Sequence, residues 1–399
     1  MRNGKPLPKK WELRRLGDCG QWVSGGTPRK SEPTYWGGDI PWFSAKSLKS
    51  FDLETSDDCV TTEGSQDGTT LVPSGTILFV VRGMSLANEF RLGITSREST
   101  LNQDLRGVIT TDDVDPRYLG RFLKHTNIVM CEIDNASHGT KRIQSDKLKE
   151  VEIPLPPLSE QKRIADILDK ADVIRRKRVQ SIAEICAVPG SLYAEMFGTP
   201  SHNTKGYSLV SVRELVSEVK YGTSSKAGTN GEFPILRMNN VTYEGDCDFS
   251  DLKYIDIPKE DRAKYLVRRG DLLFNRTNSR DLVGKTAVYQ EEREMAYAGY
   301  LVRARTNDEA FPEYIAGYLN SPHGKATLRH MCKSIVGMAN INAQEFQDIA
   351  ILKPPIEAQQ EYVKVLDAVR ARKRSIQAAA DESDDLFNSL VQRAFKGEL

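Results

Sequence analysis

No stretch of the 399-residue chain approaches the roughly 18 consecutive apolar residues of a membrane-spanning helix. The N-terminus, MRNGKPLPKKWELRRLGD, lacks the apolar stretch of a signal peptide, which points to a cytoplasmic protein with no membrane partner. Cysteine is scarce. Six stand at positions 19, 59, 131, 186, 247 and 332, too scattered for paired metal ligands and without an extracellular context for disulfides, so they are expected to be reduced and mainly in the core. The five histidines, at 125, 138, 202, 323 and 330, include no HExxH and no cysteine partner at finger spacing, so no metal site is expected.

Charge of one sign is also missing, since 56 Lys and Arg against 55 Asp and Glu leave +1. That sum argues neither for nor against a nucleic-acid partner, and distribution matters more. Basic residues gather at Lys5 to Arg15, Lys141 to Lys149, Arg175 to Arg178, Arg262 to Arg269 and Arg370 to Arg374. Catalytic motifs are absent: there is no Asn-Pro-Pro-Tyr or Asp-Pro-Pro-Tyr for amino methylation, no GxGxxG and no GxSxG. The nearest approach to a phosphate loop is SRDLVGKT, Ser279 to Thr286, which has serine where the first glycine belongs and no strong hydrophobic strand leading into it. No residue is assigned a catalytic role.

What is present is one phrase written twice. IPLPPLSEQKRIADILDKAD, from Ile153, returns as ILKPPIEAQQEYVKVLDAVR, from Ile351, at a constant displacement of 198 residues. Pro156 pairs with Pro354, Pro157 with Pro355, Gln161 with Gln359, Leu168 with Leu366 and Asp169 with Asp367. Further upstream the match is looser and its offset drifts: YLGRFLK at Tyr118 against YIAGYLN at Tyr314, PSGTILFVVRG at Pro73 against RRGDLLFNRT at Arg268, GDIPWFS at Gly38 against GEFPILR at Gly231. A repeat half the chain long means two similar units in series, each with a variable part and a better-matched tail. Length and the 39 % hydrophobic, 28 % charged composition are those of a globular chain of two or three domains.

The variable parts are β-rich, with short apolar runs such as Gly75 to Val81 and Gly270 to Phe274 punctuated by turn residues. Longer apolar spacings between Arg117 and Cys131, and between Pro312 and Met331, favour one or two helices. The tails are helical. After the Pro-Pro stop, Ser159 can cap a helix in which Ile164, Ile167, Leu168, Ala171, Ile174, Ile182 and Ile185 recur at spacings near three and four. Val363, Leu366, Val369, Ile376, Leu386 and Leu390 repeat the pattern. A helix over 159 to 187 would span about 44 Å. Two such stripes are most economically buried on one another, antiparallel, with a globular domain near each end as in a dumbbell; a helix lying against its own domain is the alternative.

These paired PPLSEQKRIADILD and PPIEAQQEYVKVLD segments, each after a β-rich region and before a long helix, resemble the specificity subunit of type I restriction-modification systems. SGGTP at Ser24, GDIPWFS at Gly38 and GTILFVVRG at Gly75 add to the resemblance, which covers nearly the whole chain. It implies an α+β fold with two pseudo-symmetric α/β target-recognition domains separated by two long antiparallel, coiled-coil-like helices. The implied division is 1–154 and 199–352 for the recognition domains, and 155–198 and 353–399 for the central and C-terminal helical regions. It also implies a non-catalytic subunit whose partners are double-stranded DNA, two copies of a methyltransferase subunit and, through them, restriction-translocase subunits. S-adenosylmethionine, ATP and Mg belong to those partners, and this chain would hold no cofactor. The second copy departs from the first at Ile356, Glu357, Ala358 and Tyr362.

Reading duplex DNA requires donors and acceptors on loops that enter a groove. The candidates in the first half are Lys46, Arg82, Asn102, Gln103, and the cluster Thr140, Lys141, Arg142; in the second they are Arg237, Asn239, Asn240, Arg276, Asn278, Arg280 and Asn340. Gln161, Ile164, Leu168 and Ile174, with Gln359, Leu366, Val369 and Ile376, are assigned to helix packing and spacing. Gly139 and Gly337 are taken as turn residues, and Trp11, Trp22, Trp36 and Trp42 as core residues. The dissimilar recognition parts predict two different half-sites, hence an asymmetric target, about one helical turn apart. Two other readings stay open: a helical scaffold that reads no DNA, and a phosphohydrolase built on Gly284, Lys285 and Thr286.

Overall fold

The apolar runs form strands and the two tails form long helices in the computed structural model, which describes residues 8–87, 89–126, 129, 133–135, 141–335 and 338–399. Thr140, Gly139, Gly337, Cys131 and His138 lie outside these residues. The chain divides into two units: Met1–Lys177 with Asp381–Leu399, and Arg178–Ala380. The longest helices are α1, Leu158–Phe197, and α2, Ile356–Ala394. Each begins in one unit and ends in the other.

In the first unit a five-stranded sheet runs in the order Gly20–Ser24, Leu105–Thr110, Ile77–Val80, Leu92–Thr95, Asp52–Leu53. A four-stranded sheet, Cys59–Val60, Trp36–Phe43, Ser99–Leu101, Thr70–Val72, accompanies it. Ile77–Val80 and Leu92–Thr95 are buried along their whole length, which is why ILFV is a continuous apolar run without alternation, while in LGIT the buried Thr95 hydroxyl bonds backbone. The second unit has two four-stranded sheets, of which Val216–Tyr221, Leu301–Thr306, Leu272–Asn275, Thr286–Val288 corresponds to the five-stranded one. Helix Pro116–His125 covers the first unit's sheets, and Pro312–Asn320 followed by Pro322–Met331 covers the second's. Trp22 packs edge-on against Phe79, and Trp36 against Trp42. The described cysteines are unpaired thiols.

The matched residues of the two tails make matched contacts. The Gln161 amide donates to the carbonyls of Asp113, at 2.9 Å, and Pro156, at 2.8 Å, and accepts from the Asp115 N–H at 2.8 Å. Gln359 donates to Glu309 and Pro354 at 3.1 Å and accepts from the Phe311 N–H at 3.0 Å. The Tyr118 hydroxyl donates to the Pro154 carbonyl, as Tyr314 does to Leu352. Each helix start is thereby fixed to the β-rich part preceding it.

Helix α1 continues ten residues beyond the helix over 159 to 187 that the sequence pattern predicts, passing through Pro189. A proline inside a helix forfeits a backbone bond and costs about 3 kcal/mol. The helix persists because Tyr193 and Phe197, both buried, pack against Tyr314 and Tyr362 with ring centroids 5.0–5.7 Å apart. It stops at Gly198, whose φ of +73° favours glycine. In the first unit, Ile164 and Leu168 of α1 share a core with Phe387 and Val391 of α2 and with Phe395 just past its end. Arg175 approaches Asp384, and Arg163 donates to the Leu399 carbonyl, so the two segments there run antiparallel. In the second unit Arg178 donates to the Ala379 carbonyl and the Tyr362 hydroxyl to that of Pro189, again antiparallel.

Two outcomes follow. Gln161→Leu keeps the volume but strands one N–H and two carbonyls in a buried site, so urea denaturation should show a loss of roughly 3 kcal/mol. The His125 ring, packed on Phe387, has its pKa pushed down to about 4 by burial and then by Arg121, Lys124 and Arg175. Below about pH 6.5 the unfolded chain takes up a proton that the folded chain refuses, so stability falls on acidification toward pH 4. His125→Phe should remove about 2 kcal/mol of that fall, read as a flatter dependence of Tm on pH.

Candidate nucleic-acid interface

Each unit carries a small three-stranded sheet at an equivalent place. In the first it is built from Ile133–Asn135, β1 (Arg82–Gly83) and β2 (Lys141–Ile143); in the second from Lys333–Ile335, β3 (Thr277–Asn278) and β4 (Met338–Asn340). β1 follows the buried strand Ile77–Val80 and β3 follows Leu272–Asn275, so a rigid core element delivers each polar strand. β2 and β4 lie shortly before the Pro-Pro start of a long helix.

Arg82 and Arg142 stand directly opposite one another on β1 and β2, and both are exposed. Arg106, from the adjoining strand Leu105–Thr110, joins them. Its guanidinium pKa is lowered by burial and then by the positive charges of Arg142 and Arg82. Arg106 also donates to the Leu105 and Gln103 carbonyls, which places Gln103 in the same group; the Gln103 amide oxygen accepts from Thr27 at 2.7 Å. Among the described residues none of these three arginines has an ion-pair partner. Three unneutralised guanidiniums this close together favour an anion, and their planar forks match phosphate oxygens or the guanine edge. Lys141, paired elsewhere, lies opposite Gly83.

The second unit places different chemistry at this position. Thr277 faces Asn340, donating to its amide oxygen at 2.8 Å, and Asn278 faces Ala339. Arg276 is half-buried between two exposed tyrosines, with its guanidinium 5.0 Å from the Tyr221 ring and its backbone N–H on the Tyr300 carbonyl. Its Nε is buried without a partner. Arg280 is exposed on the turn beyond. This surface sets amide, hydroxyl and aromatic groups around Arg276, with Arg280 on the turn beyond and Lys333 opposite Asn340 in the register.

The remaining candidates divide by burial. Lys46 is exposed in the turn after Trp36–Phe43. Asn102 is buried, and its side chain binds Asp104. Arg237 pairs with Asp251 at 2.8 Å, and Asn239 donates to the same carboxylate. Asn240 is buried, donating to the Asp248 and Asp251 carbonyls while accepting from the Arg237 N–H, so its amide shapes the loop instead of facing outward. The Met238 carbonyl ties this loop to Asn275, next to Arg276. Among the helix positions, Ile164, Leu168 and Leu366 are core, Val369 and Ile376 are half-buried, and Ile174 is exposed. Gln161 and Gln359 differ from the spacing role read in the sequence, because their amides fasten the helix to its own β-rich part.

Arg106, Tyr221 and Tyr300 were not singled out in the sequence. Arg106 lies inside the strand run LRGVIT, and only the sheet order brings it beside Arg82. The Gly-Lys-Thr of residues 284 to 286 does not form a phosphate loop. Thr286 opens a strand and not a helix, so no row of free N–H groups is presented, and the Lys285 ammonium donates to the Met238 carbonyl at 2.8 Å.

The family model described as "Type I restriction modification DNA specificity domain" matches residues 8–185 and 208–381. The chain is 29 % identical over 271 residues to the type I restriction enzyme EcoKI specificity subunit of Escherichia coli K12, covering 62 % of this chain and 58 % of that protein. It is 26 % identical over 316 residues to the StySPI specificity subunit of Salmonella potsdam, covering 72 % and 66 %. The matches thus span less than two thirds of either relative. Among solved structures, a chain from a study of complex assembly and conformational transition in the type I R-M system superposes with a TM-score of 0.60 at 16 % identity, covering 99 % of this chain and all of that one. The type I S subunit from M. genitalium gives 0.56 at 14 % identity, with 98 % of each chain covered. At these identities the likeness is one of fold.

The burial of Asn240 leads to a contrast with its neighbour. Asn240→Ala should cost the protein roughly 2 kcal/mol in urea denaturation, because three backbone groups lose their partner, while Asn239→Ala should change it by less than about 0.5.

Proposed function

The chain belongs to the type I restriction-modification DNA specificity family, and from that premise we propose that it reads a two-part, asymmetric duplex DNA site, one part with each unit. It performs no catalysis itself and positions two methyltransferase subunits acting on adenine N6, and through them restriction-translocase subunits, on that site. S-adenosylmethionine, ATP and Mg act on those partners. The observation that carries this reading is the pair of equivalent small sheets bearing unlike side chains. Equivalent placement gives both units access to DNA in the same manner, while the arginine group of one and the Thr277, Asn278, Asn340 surface of the other select different base edges.

Arginine forks suit the two acceptors of guanine, so Arg82 and Arg142 are assigned to the first half-site with Arg106 and Lys46 on phosphate. Asn278 and Asn340 suit adenine, with Arg276 and Arg280 beside them. Arg237 and Asn239 flank that surface, and Asn102 and Asn240 hold the loops that present it. Residues 1–154 and 199–352 are the recognition domains of this reading, and 155–198 and 353–399 the helical regions that set the unread spacer and receive the partners.

The test is genome-wide methylation mapping with the cognate methyltransferase subunit. One two-part motif should emerge, and replacing residues 1 to 150 by those of a relative should change one half only. Absence of a two-part motif, or a swap that changes neither half, ends the proposal. Arg142→Ala should relax the first half-site at a cost of about 1–3 kcal/mol and leave the second unchanged, with Asn340→Ala doing the converse. Inserting four residues between 170 and 185, about 6 Å of helix, should lengthen the unread spacer without altering either half-site.

A further inference from the structure

The second unit contains a cavity of about 720 Å³ among the end of α1, the start of α2 and the helix pair Pro312–Asn320 and Pro322–Met331. At the matching place of the first unit bulky side chains stand in contact. There the Arg121 guanidinium lies 3.9 Å over the Phe51 ring and pairs with Asp169 and Asp172, while Phe387 packs on His125 beneath Arg175. The repeat offsets put Gly317 where Arg121 stands, Asn320 for Lys124, Ser321 for His125 and Pro189 for Phe387. Four bulky side chains are thus replaced by small ones. Tyr362, in place of Ile164, occupies only the part next to Gly317.

The hollow is not evenly lined. Pro189, Ala316, Leu366 and Val369 make one wall apolar. Lys325 and Arg329, one turn apart on Pro322–Met331, supply positive charge at another. Most other charges on the lining are matched: Lys373 by Asp246, and Arg370 by Glu313 and Asp367. Arg329 has no ion-pair partner among the described residues, and Lys325 is held over the Tyr243 ring with its ammonium on the Tyr243 carbonyl. The Asn320 amide nitrogen is engaged by the Thr286 carbonyl, but its oxygen is buried without a donor. Burial pushes the Lys325 pKa down to about 8; Glu244, also on the lining, opposes that shift without cancelling it, and Arg329 adds to it.

We propose that this cavity is a binding site for a small amphipathic anion, with an apolar ring seated on the Pro189 and Leu366 wall and a carboxylate, sulfonate or phosphate on Lys325 and Arg329. Its volume lies within the roughly 300–1,000 Å³ of ligand sites. The proposal is independent of DNA reading, since none of the residues assigned to base or phosphate contact lines the cavity.

The full chain is titrated with anilinonaphthalene sulfonate and with its uncharged analogue N-phenyl-1-naphthylamine, following fluorescence. The sulfonate should saturate one site and bind about tenfold more tightly than the analogue. Gly190 lines the cavity, and a Cβ added there meets nothing within 4 Å. Gly190→Phe should therefore abolish saturable binding of both dyes without lowering Tm, since helix glycines are destabilising. Lys325→Met with Arg329→Met should erase the preference for the sulfonate while leaving the analogue bound. Equal affinity for both dyes in the native chain, or sulfonate binding unaffected by either set of changes, overturns the proposal. Should Gly190→Phe lower Tm, the charge-removal pair decides alone.

Discussion

Neither unit has a complete core until a distant segment of the chain arrives. Phe395, near the chain's last residue, lies edge-on to Tyr118 and Phe122, and Phe387 and Val391 fill the same core beside Ile164 and Leu168. In the second unit Tyr193 and Phe197 take this place against Tyr314 and Tyr362. Each such aromatic contributes roughly 1.5–3 kcal/mol of burial, so losing one helix end forfeits a large part of a typical domain's margin. The core of the first unit cannot close without residues 381–399, which lie about 200 positions beyond the rest of that unit. Everything else follows: the helices are held at both ends, the glutamines fix their starts, and the small polar sheets stand on strands that this core immobilises.

The two units have met the same packing demand with different chemistry. Burial alone would raise the Asp172 carboxyl, yet Arg121, Arg176 and Arg175 outweigh it and hold the group below the usual range. The second unit has Arg370 at the equivalent position, paired with Glu313 and Asp367. The charge at this position is inverted and the partner has moved, since Gly317 stands where Arg121 does and Arg370 reaches Glu313, one turn earlier on the helix. A buried ion pair is costly to half-remove, so the loss of Arg121 has gone with the loss of the carboxylate it would pair. The backbone-directed bonds of Gln161 and Gln359 are under no such freedom, because a carbonyl can only accept, and these are the residues that the repeat preserves.

This difference explains what was legible. The fold class, the doubling and the long helices are visible because they rest on period and on side chains that bond backbone. The end of α1 was not, because Pro189 and the lapse of the apolar stripe after Ile185 are local signals, whereas the burial of Tyr193 and Phe197 that overrides them is tertiary. At the candidate interface Arg82 and Arg142 could be named from their place after or before an apolar run. Arg106 could not, since its proximity comes from strand order, and Asn240 looked outward-facing because an asparagine in a polar turn reads alike whether it meets solvent or braces its own loop.

A recognition surface must be rigid enough to hold geometry and free enough to change sequence. The structure separates the two requirements by residue. The strands that deliver β1 and β3 are buried along their whole length, so substitutions within them cost packing, and Ile143 of β2 and Ala339 of β4 anchor the small sheets to the two cores, whereas Arg82 and Arg142 are exposed and can be exchanged at small cost. Arg82 opposite Arg142 in one unit and Thr277 opposite Asn340 in the other are alternative occupants of one frame. The close match of the tails goes with side chains that bind backbone, as Gln161 and Gln359 do, while exposed positions of the small sheets such as Arg82 and Arg142 are not dictated by the core beneath them.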